Sequence, residues 1–146
     1  MIEDKMLAVF GGRMDSYGKD VPKDGDPSAG GMRVDGNVTP QLVKQHLWGE
    51  VGIGLYPTWH NDDGVLMASW GCCDIDTGDW GEAYALVAAL RAMGMVPHVE
   101  RSRSKGWHIW VFPTGPVTAL EMRRSLKVAY AAIKLPAKEA NPKQET

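Results

Sequence analysis

"GCCDIDTGDWGEAYALVAALRAMG", residues 71–94, holds the change of local structure on which the fold reading turns. Its first part closes a longer apolar run, "GVLMASWGCCDID" (64–76), that reads as one buried strand. The strand ends in Asp74 and Asp76, one residue apart, and the chain turns on Thr77-Gly78-Asp79 before an alanine-rich segment. Asp79 followed by Glu82 has the spacing of a capping pair, which predicts a helix from about Trp80 to Met93. Ala83, Leu86, Val87 and Leu90 recur on one face of that helix, and Gly94 can end it.

Carboxylates at the tip of a buried strand are costly unless a metal, a lysine or arginine, or water meets them. Residues two apart on a strand leave the same face, so Asp74 and Asp76 repel one another unless a cation lies between them. Hard oxygen ligands of this kind suit Mg²⁺ or Mn²⁺. As a pattern D-x-D is weak, and a solvated strand end that caps the next helix is the plainer alternative. A calcium loop is excluded: counted from Asp74, the fifth position is Gly78 and the twelfth Ala85, where oxygen ligands are required.

Outward from this stretch the elements are short. Thr39 caps and Pro40 opens a helix in "TPQLVKQHLWG", ended by Gly49, and "VGIGLYP" (51–57) reads as a strand. Residues 18–38, rich in Gly, Asp and Pro without periodicity, read as a long loop. "VPHVERS" and "WHIWVFP" read as two strands of a hairpin. Thr118 and Glu121 form a capping box before a helix to about Lys134, with Met122, Leu126, Ala129 and Ile133 inward, and Pro136 stops it. Residues 135–146 form a polar tail. The order predicts a single α+β domain over 1–146, a mostly antiparallel sheet with helices packed on it.

Composition bounds the function. The chain has 146 residues, 44% hydrophobic and 23% charged, enough for one real core. A formal net charge of −2 gives no global basic footprint for tight non-specific DNA binding, which leaves room only for a local patch. No apolar run approaches a membrane span, and "MIEDKMLAVF" is acidic where a secretory leader would be basic, so a cytoplasmic location is expected. Cys72 and Cys73, adjacent on one strand, point to opposite faces and are expected to be reduced core residues. The six tryptophans read mainly as packing residues.

His108 alternates with Trp107 and Ile109, and a lone strand histidine is ordinarily structural. Its neighbourhood offers an alternative. "ERSRSKGWH" places Arg101, Arg103 and Lys105, two serines and Gly106 in the turn before it, a set able to hold a triphosphate. A charged, solvated hairpin tip explains the same residues. Glu139 and Lys143 in the tail say nothing by themselves, nor do Arg13, Asp15 and Tyr17.

Taken together and in order, these pieces resemble the archaeo-eukaryotic primase superfamily. "CCDIDTGD" is similar to its first motif, a hydrophobic strand ending in D-x-D/E, and "GWH" (106–108) to its second, a small residue, any residue, then His. "ERSRSKGWHIWVFP" resembles a stretch of the primase-polymerases of phages, mobile elements and bacterial conflict systems, and "GGRMDSY" and "HLWGEVGIGLYP" resemble N-terminal signatures of that group. The resemblance implies an RRM-like catalytic core and template-dependent nucleotidyl transfer with two metals, Mg²⁺ or Mn²⁺, making or extending primers on single-stranded DNA from NTPs or dNTPs. It implies Asp74 and Asp76 as metal ligands, Glu139 as the third motif's acid, and His108 at the nucleotide's phosphates. Arg101, Arg103, Ser104, Lys105 and Lys143 join His108 as nucleotide-binding candidates. Glu139 follows Lys138 where the motif has a hydrophobic residue, and the family continues past "PKQ" into another strand, so the chain is expected to be C-terminally truncated or reduced. An end-joining or gap-filling polymerase domain shares the three motifs. A metal-dependent phosphoesterase would use His108 as its base, and a non-catalytic remnant would bind DNA or nucleotide or dock on a replicative helicase. The implied setting is a bacterial or phage-infected cell.

Overall fold

The structure, a computed structural model, describes residues 1–21, 31–102, 105–138 and 140–143. By its internal contacts the chain divides into two compact units, Met1–Pro57 and Thr58–Thr146.

The first unit holds helix α1 (Ile2–Phe10), strands β1 (Arg13–Asp20) and β2 (Gly31–Asp35), helix α2 (Pro40–Leu47) and strand β3 (Ile53–Tyr56). Its sheet runs β2-β1-β3, antiparallel throughout, with Tyr17 opposite Val34 and Gly18 between Arg33 and Gly54. The stretch 18–38, expected as one loop, instead carries paired strand residues at 18–20 and 31–35, on either side of residues outside the described set. Its Gly and Asp content masked the pairing, because these strands are largely exposed and show no apolar alternation. α2 begins as expected: Thr39 accepts a hydrogen bond from the Leu42 amide, Pro40 takes the first helical position, and Gly49 adopts a positive φ of 76° beyond its end.

The second unit contains β4 (Thr58–His60), β5 (Leu66–Ala68), β6 (Gly71–Ile75), α3 (Trp80–Ala92), β7 (His98–Arg101), β8 (Trp107–Val111), β9 (Val117–Thr118), α4 (Ala119–Ala132) and β10 (Ala140–Asn141). The run 64–76 is two strands rather than one. β5 joins a small sheet β4-β5-β9, and after Ser69-Trp70 the chain passes as β6 into a sheet of order β10-β6-β8-β7. Taken as β6-α3-β7-β8-α4-β10, this sheet has the split βαβ connectivity of ferredoxin-like and RRM domains, with β6 and β8 central and all pairs antiparallel.

Period-two alternation sorts the sheet's side chains. Cys73, Ile75, Ile109, Val111 and Ala140 meet Ala83, Leu86, Val87 and Leu90 of α3 and Met122, Leu126, Ala129 and Tyr130 of α4 in one buried cluster. Both helix faces are those the periodicity predicted. Asp79 caps α3 through the Gly81 amide, Gly94 closes it at φ 82°, and the Thr118–Glu121 capping box opens α4. Both cysteines are buried free thiols, and burial pushes the Cys73 thiol up to about 12, so it stays protonated at neutral pH. Among the described residues no helix is long and apolar enough to cross a membrane.

Candidate active site

The face of the four-stranded sheet turned away from α3 and α4 carries the polar set. In the antiparallel register Asp74 of β6 stands opposite His108 of β8, and His108 stands opposite Glu100 of β7. One row across three strands thus reads Asp–His–Glu. His108 Nε2 lies 3.1 Å from Asp74 Oδ1, and its Nδ1 lies 3.2 Å from Glu100 Oε2. The same Glu100 oxygen accepts the indole N–H of Trp110 at 2.9 Å. The Trp110 ring meets His108 edge-on at 5.8 Å between centroids and Trp70 at 5.2 Å.

The Asp74 carboxylate beside it, and then Glu100, hold the imidazolium form of His108 and push its pKa up to about 9, against partial burial that opposes charge. At neutral pH the ring is therefore a cation with both N–H groups directed at carboxylates. Behind it, the buried Tyr130 hydroxyl of α4 donates to the Asp74 backbone carbonyl at 2.8 Å, tying the helix layer to the acidic strand end.

Asp76 follows β6 on the same alternation as Asp74 and is exposed. The turn after it is ordered locally: Thr77 Oγ1 donates to the Glu82 carboxylate. The tip of the β7–β8 hairpin comes close here. Ser102 donates to the Gly106 carbonyl at 3.0 Å, and a Cβ at Gly106 would lie 3.2 Å from the Ile75 carbonyl carbon and 3.3 Å from Asp76 Cα, in hard contact with the Ile75 carbonyl oxygen. Only glycine lets the hairpin end lie against the backbone that carries the aspartates.

A family model for the archaeo-eukaryotic primase domain of the TOTE conflict system matches residues 32–141. The chain belongs to that primase family. Among solved structures, it is similar in fold to the polymerase domain from Mycobacterium tuberculosis ligase D in complex with DNA, at a TM-score of 0.51 and 18% sequence identity. That match covers 91% of this chain and 60% of the other, so the chain spans less than two thirds of the polymerase domain's length. No curated protein matches the chain significantly. The superfamily resemblance and the α+β, antiparallel architecture expected from the sequence are both borne out.

Within this primase-family chain, the structure brings Asp74 and His108 into direct contact, and Asp76 is exposed just past the end of β6. Lys105 lies in the exposed hairpin tip, its carbonyl 3.5 Å from where a Cβ at Gly78 would stand. Arg101 is placed differently: it alternates with Glu100 and so leaves the other face of β7, where its guanidinium covers the Trp107 ring at 4.6 Å. Trp80 meets that ring from its edge at 4.8 Å. Lys143 is exposed beyond β10, whose Asn141 pairs with Cys72. Arg103, Ser104 and Glu139 lie outside the described residues.

Glu100, Trp110 and Tyr130 are the site residues that sequence reasoning passed over. For Glu100 the signal was present, since a hairpin over "ERSRSKGWH" pairs it with His108 once its centre is placed. Tyr130 carried no signal beyond its place on the apolar stripe of α4.

Proposed function

We propose that this domain transfers nucleotides onto a 3′-hydroxyl on a single-stranded DNA template, making or extending primers, with 1–146 acting as one catalytic domain. The observation that carries the reading is the 3.1 Å contact between Asp74 and His108, which joins the acidic first motif and the histidine of the second on one sheet face of a chain whose family is that of primases.

The residues suit a phosphate-bound divalent ion better than a closed protein cage. Among the described residues no group of three or more His, Cys, Asp or Glu is arranged to hold a metal. Mg²⁺ and Mn²⁺, however, bind through one or two carboxylates with substrate phosphates completing the shell, and Asp74 and Asp76 are hard donors at the end of one strand. In this reading Asp74, Asp76 and Glu139 hold the ions. A divalent ion there would neutralise charge on the triphosphate and lower the pKa of the attacking hydroxyl.

The chain's own groups do the rest. With a divalent ion on Asp74, the His108 Nε2–H that Asp74 accepts in this structure would pass to the triphosphate, a charge-assisted bond stronger than a neutral one. Tyr130 fixes the backbone of Asp74, and Gly106 lets the hairpin tip close on Asp76, so carboxylates and phosphate-binding cation are placed before substrate arrives. Lys105 at the tip adds a positive charge for the triphosphate or the template.

The test is incorporation of labelled ribo- and deoxynucleotides on single-stranded DNA with Mn²⁺, with and without a primer, beside Asp74→Ala/Asp76→Ala. Products that need both aspartates are expected, and products without a primer establish priming. Primer-dependent products alone reassign the domain to extension or gap filling. Absence of any product from the unaltered chain refutes the reading for these residues.

A further inference from the structure

Glu100 forms a junction in the site that neither the acidic motif nor the histidine motif accounts for. We infer that Glu100 is a positioning residue of the nucleotide site, fixing the His108 ring by clamping it to Trp110. The inference rests on the reading that His108 meets the triphosphate.

A single oxygen, Glu100 Oε2, takes both His108 Nδ1 at 3.2 Å and Trp110 Nε1 at 2.9 Å. His108 and Trp110 are two apart on β8 and share a face, with their rings edge-to-face at 5.8 Å. Glu100 reaches both from the neighbouring edge strand, directly opposite His108. The imidazole can turn about its own axis only by breaking the Glu100 contact, and Glu100 can swing away only by leaving the indole N–H without its acceptor. That indole is itself packed edge-on against the buried Trp70 ring, so the clamp is anchored in rigid structure. The consequence is that Nε2 is the nitrogen presented to the Asp74 side, where a phosphate would lie. Behind a metal-ligating histidine, partners of this kind fix which ring nitrogen faces the site, and their loss costs about 10- to 100-fold in affinity or activity; a cost of the same order is expected for His108.

One oxygen serving two donors makes the inference separable from a charge effect. Glutamine keeps a carbonyl oxygen at the same reach and can accept both bonds, whereas alanine removes the clamp. Glu100 is more than half exposed, so neither substitution threatens the fold. Primer-extension kinetics on Glu100→Ala should show KM for dNTP raised roughly tenfold with kcat within about threefold of the unaltered protein, and Glu100→Gln should restore KM to within about threefold. An unchanged KM in Glu100→Ala, or a Glu100→Gln variant as impaired as the alanine, overturns the inference. A second readout does not need activity. Nuclear Overhauser contacts between the His108 and Trp110 rings should be present in the unaltered chain and in Glu100→Gln and be lost in Glu100→Ala. If the unaltered chain incorporates nothing, the proposed function fails, while these contacts still decide whether Glu100 sets the ring: their persistence in Glu100→Ala refutes it.

Discussion

Gly106→Ala separates the account of the site from a general account of the fold. A Cβ at Gly106 would stand 3.2 Å from the Ile75 carbonyl carbon and 3.3 Å from Asp76 Cα, pressed onto the Ile75 carbonyl oxygen. These neighbours are backbone, with no flexible side-chain end that can yield. To restore ordinary contact the hairpin tip must withdraw by about 1 Å, and overpacking of this kind costs about 1–3 kcal/mol. At roughly 2–4 °C per kcal/mol for a chain of this size, the melting temperature should fall by about 2–12 °C. The functional cost should be larger in proportion, because the tip and the aspartate strand end are the two sides of the proposed nucleotide site. A misplacement of about 1 Å there lowers turnover on the order of 100-fold. Gly115→Ala is the matched control: nothing lies within 4 Å of its Cβ position, and it should be near neutral in both respects. Urea denaturation and primer extension on the two variants are the assays. Equal stability and equal activity of Gly106→Ala and Gly115→Ala would refute the close approach of hairpin tip and aspartates on which the site rests.

The other expectations are smaller in scope. Tyr130→Phe removes the bond to the Asp74 carbonyl and should cost about 0.5–1.5 kcal/mol in urea denaturation, with incorporation falling as well. In metal-free protein the His108 ring should titrate near 9 by NMR, and Asp74→Asn should bring that midpoint down toward the ordinary histidine value. The sign follows from the raised pKa: the stability His108 contributes is fully present below about 6.5 and is lost as pH rises through about 9, so a melting temperature insensitive to pH over that window in the unaltered chain would contradict the pairing. Arg123 holds the Ala140 and Pro142 carbonyls through Nη1 at 2.8 and 2.9 Å, so Arg123→Met should speed amide exchange at Ala140, Asn141 and Lys143 while leaving α4 protected.

What could be read in the sequence was what is encoded locally. The caps of α2, α3 and α4 depend on residues two or three apart: Thr39 and Thr118 cap as their spacing predicted, and Asp79 caps α3 through the Gly81 amide while Glu82, its expected capping partner, accepts from Thr77 instead. The buried faces of α3 and α4 follow from a 3.6-residue period, and the D-x-D turn sits where an apolar run meets a capping signal. Tertiary pairing was less visible. The run 64–76 carries no mark at Ser69-Trp70 to show that β5 and β6 join different sheets, because both halves are apolar. β1 and β2 pair through exposed, glycine-containing strands that lack alternation, and α1 has a single buried residue, Glu3, so no apolar stripe announces it. In the site, Asp74 and His108 were legible as types and their contact was not, since register across β6 and β8 is set by the whole sheet. Arg101 shows the same limit from the other side. Its charge suggested the triphosphate, but strand alternation turns it to the Trp107 face.

The most direct test of the central claim is binding of dATP in the presence and absence of Mn²⁺ by calorimetry, on the unaltered chain and on Asp74→Ala/Asp76→Ala. If the two aspartates and His108 form one nucleotide site, the unaltered chain binds dATP only with Mn²⁺, and the double variant loses that binding. Binding that survives loss of both aspartates, or that needs no Mn²⁺, would contradict the claim. A chain that instead holds only DNA, with affinity falling steeply as salt rises, would be a DNA-binding module in which the aspartates cap a helix and nothing more.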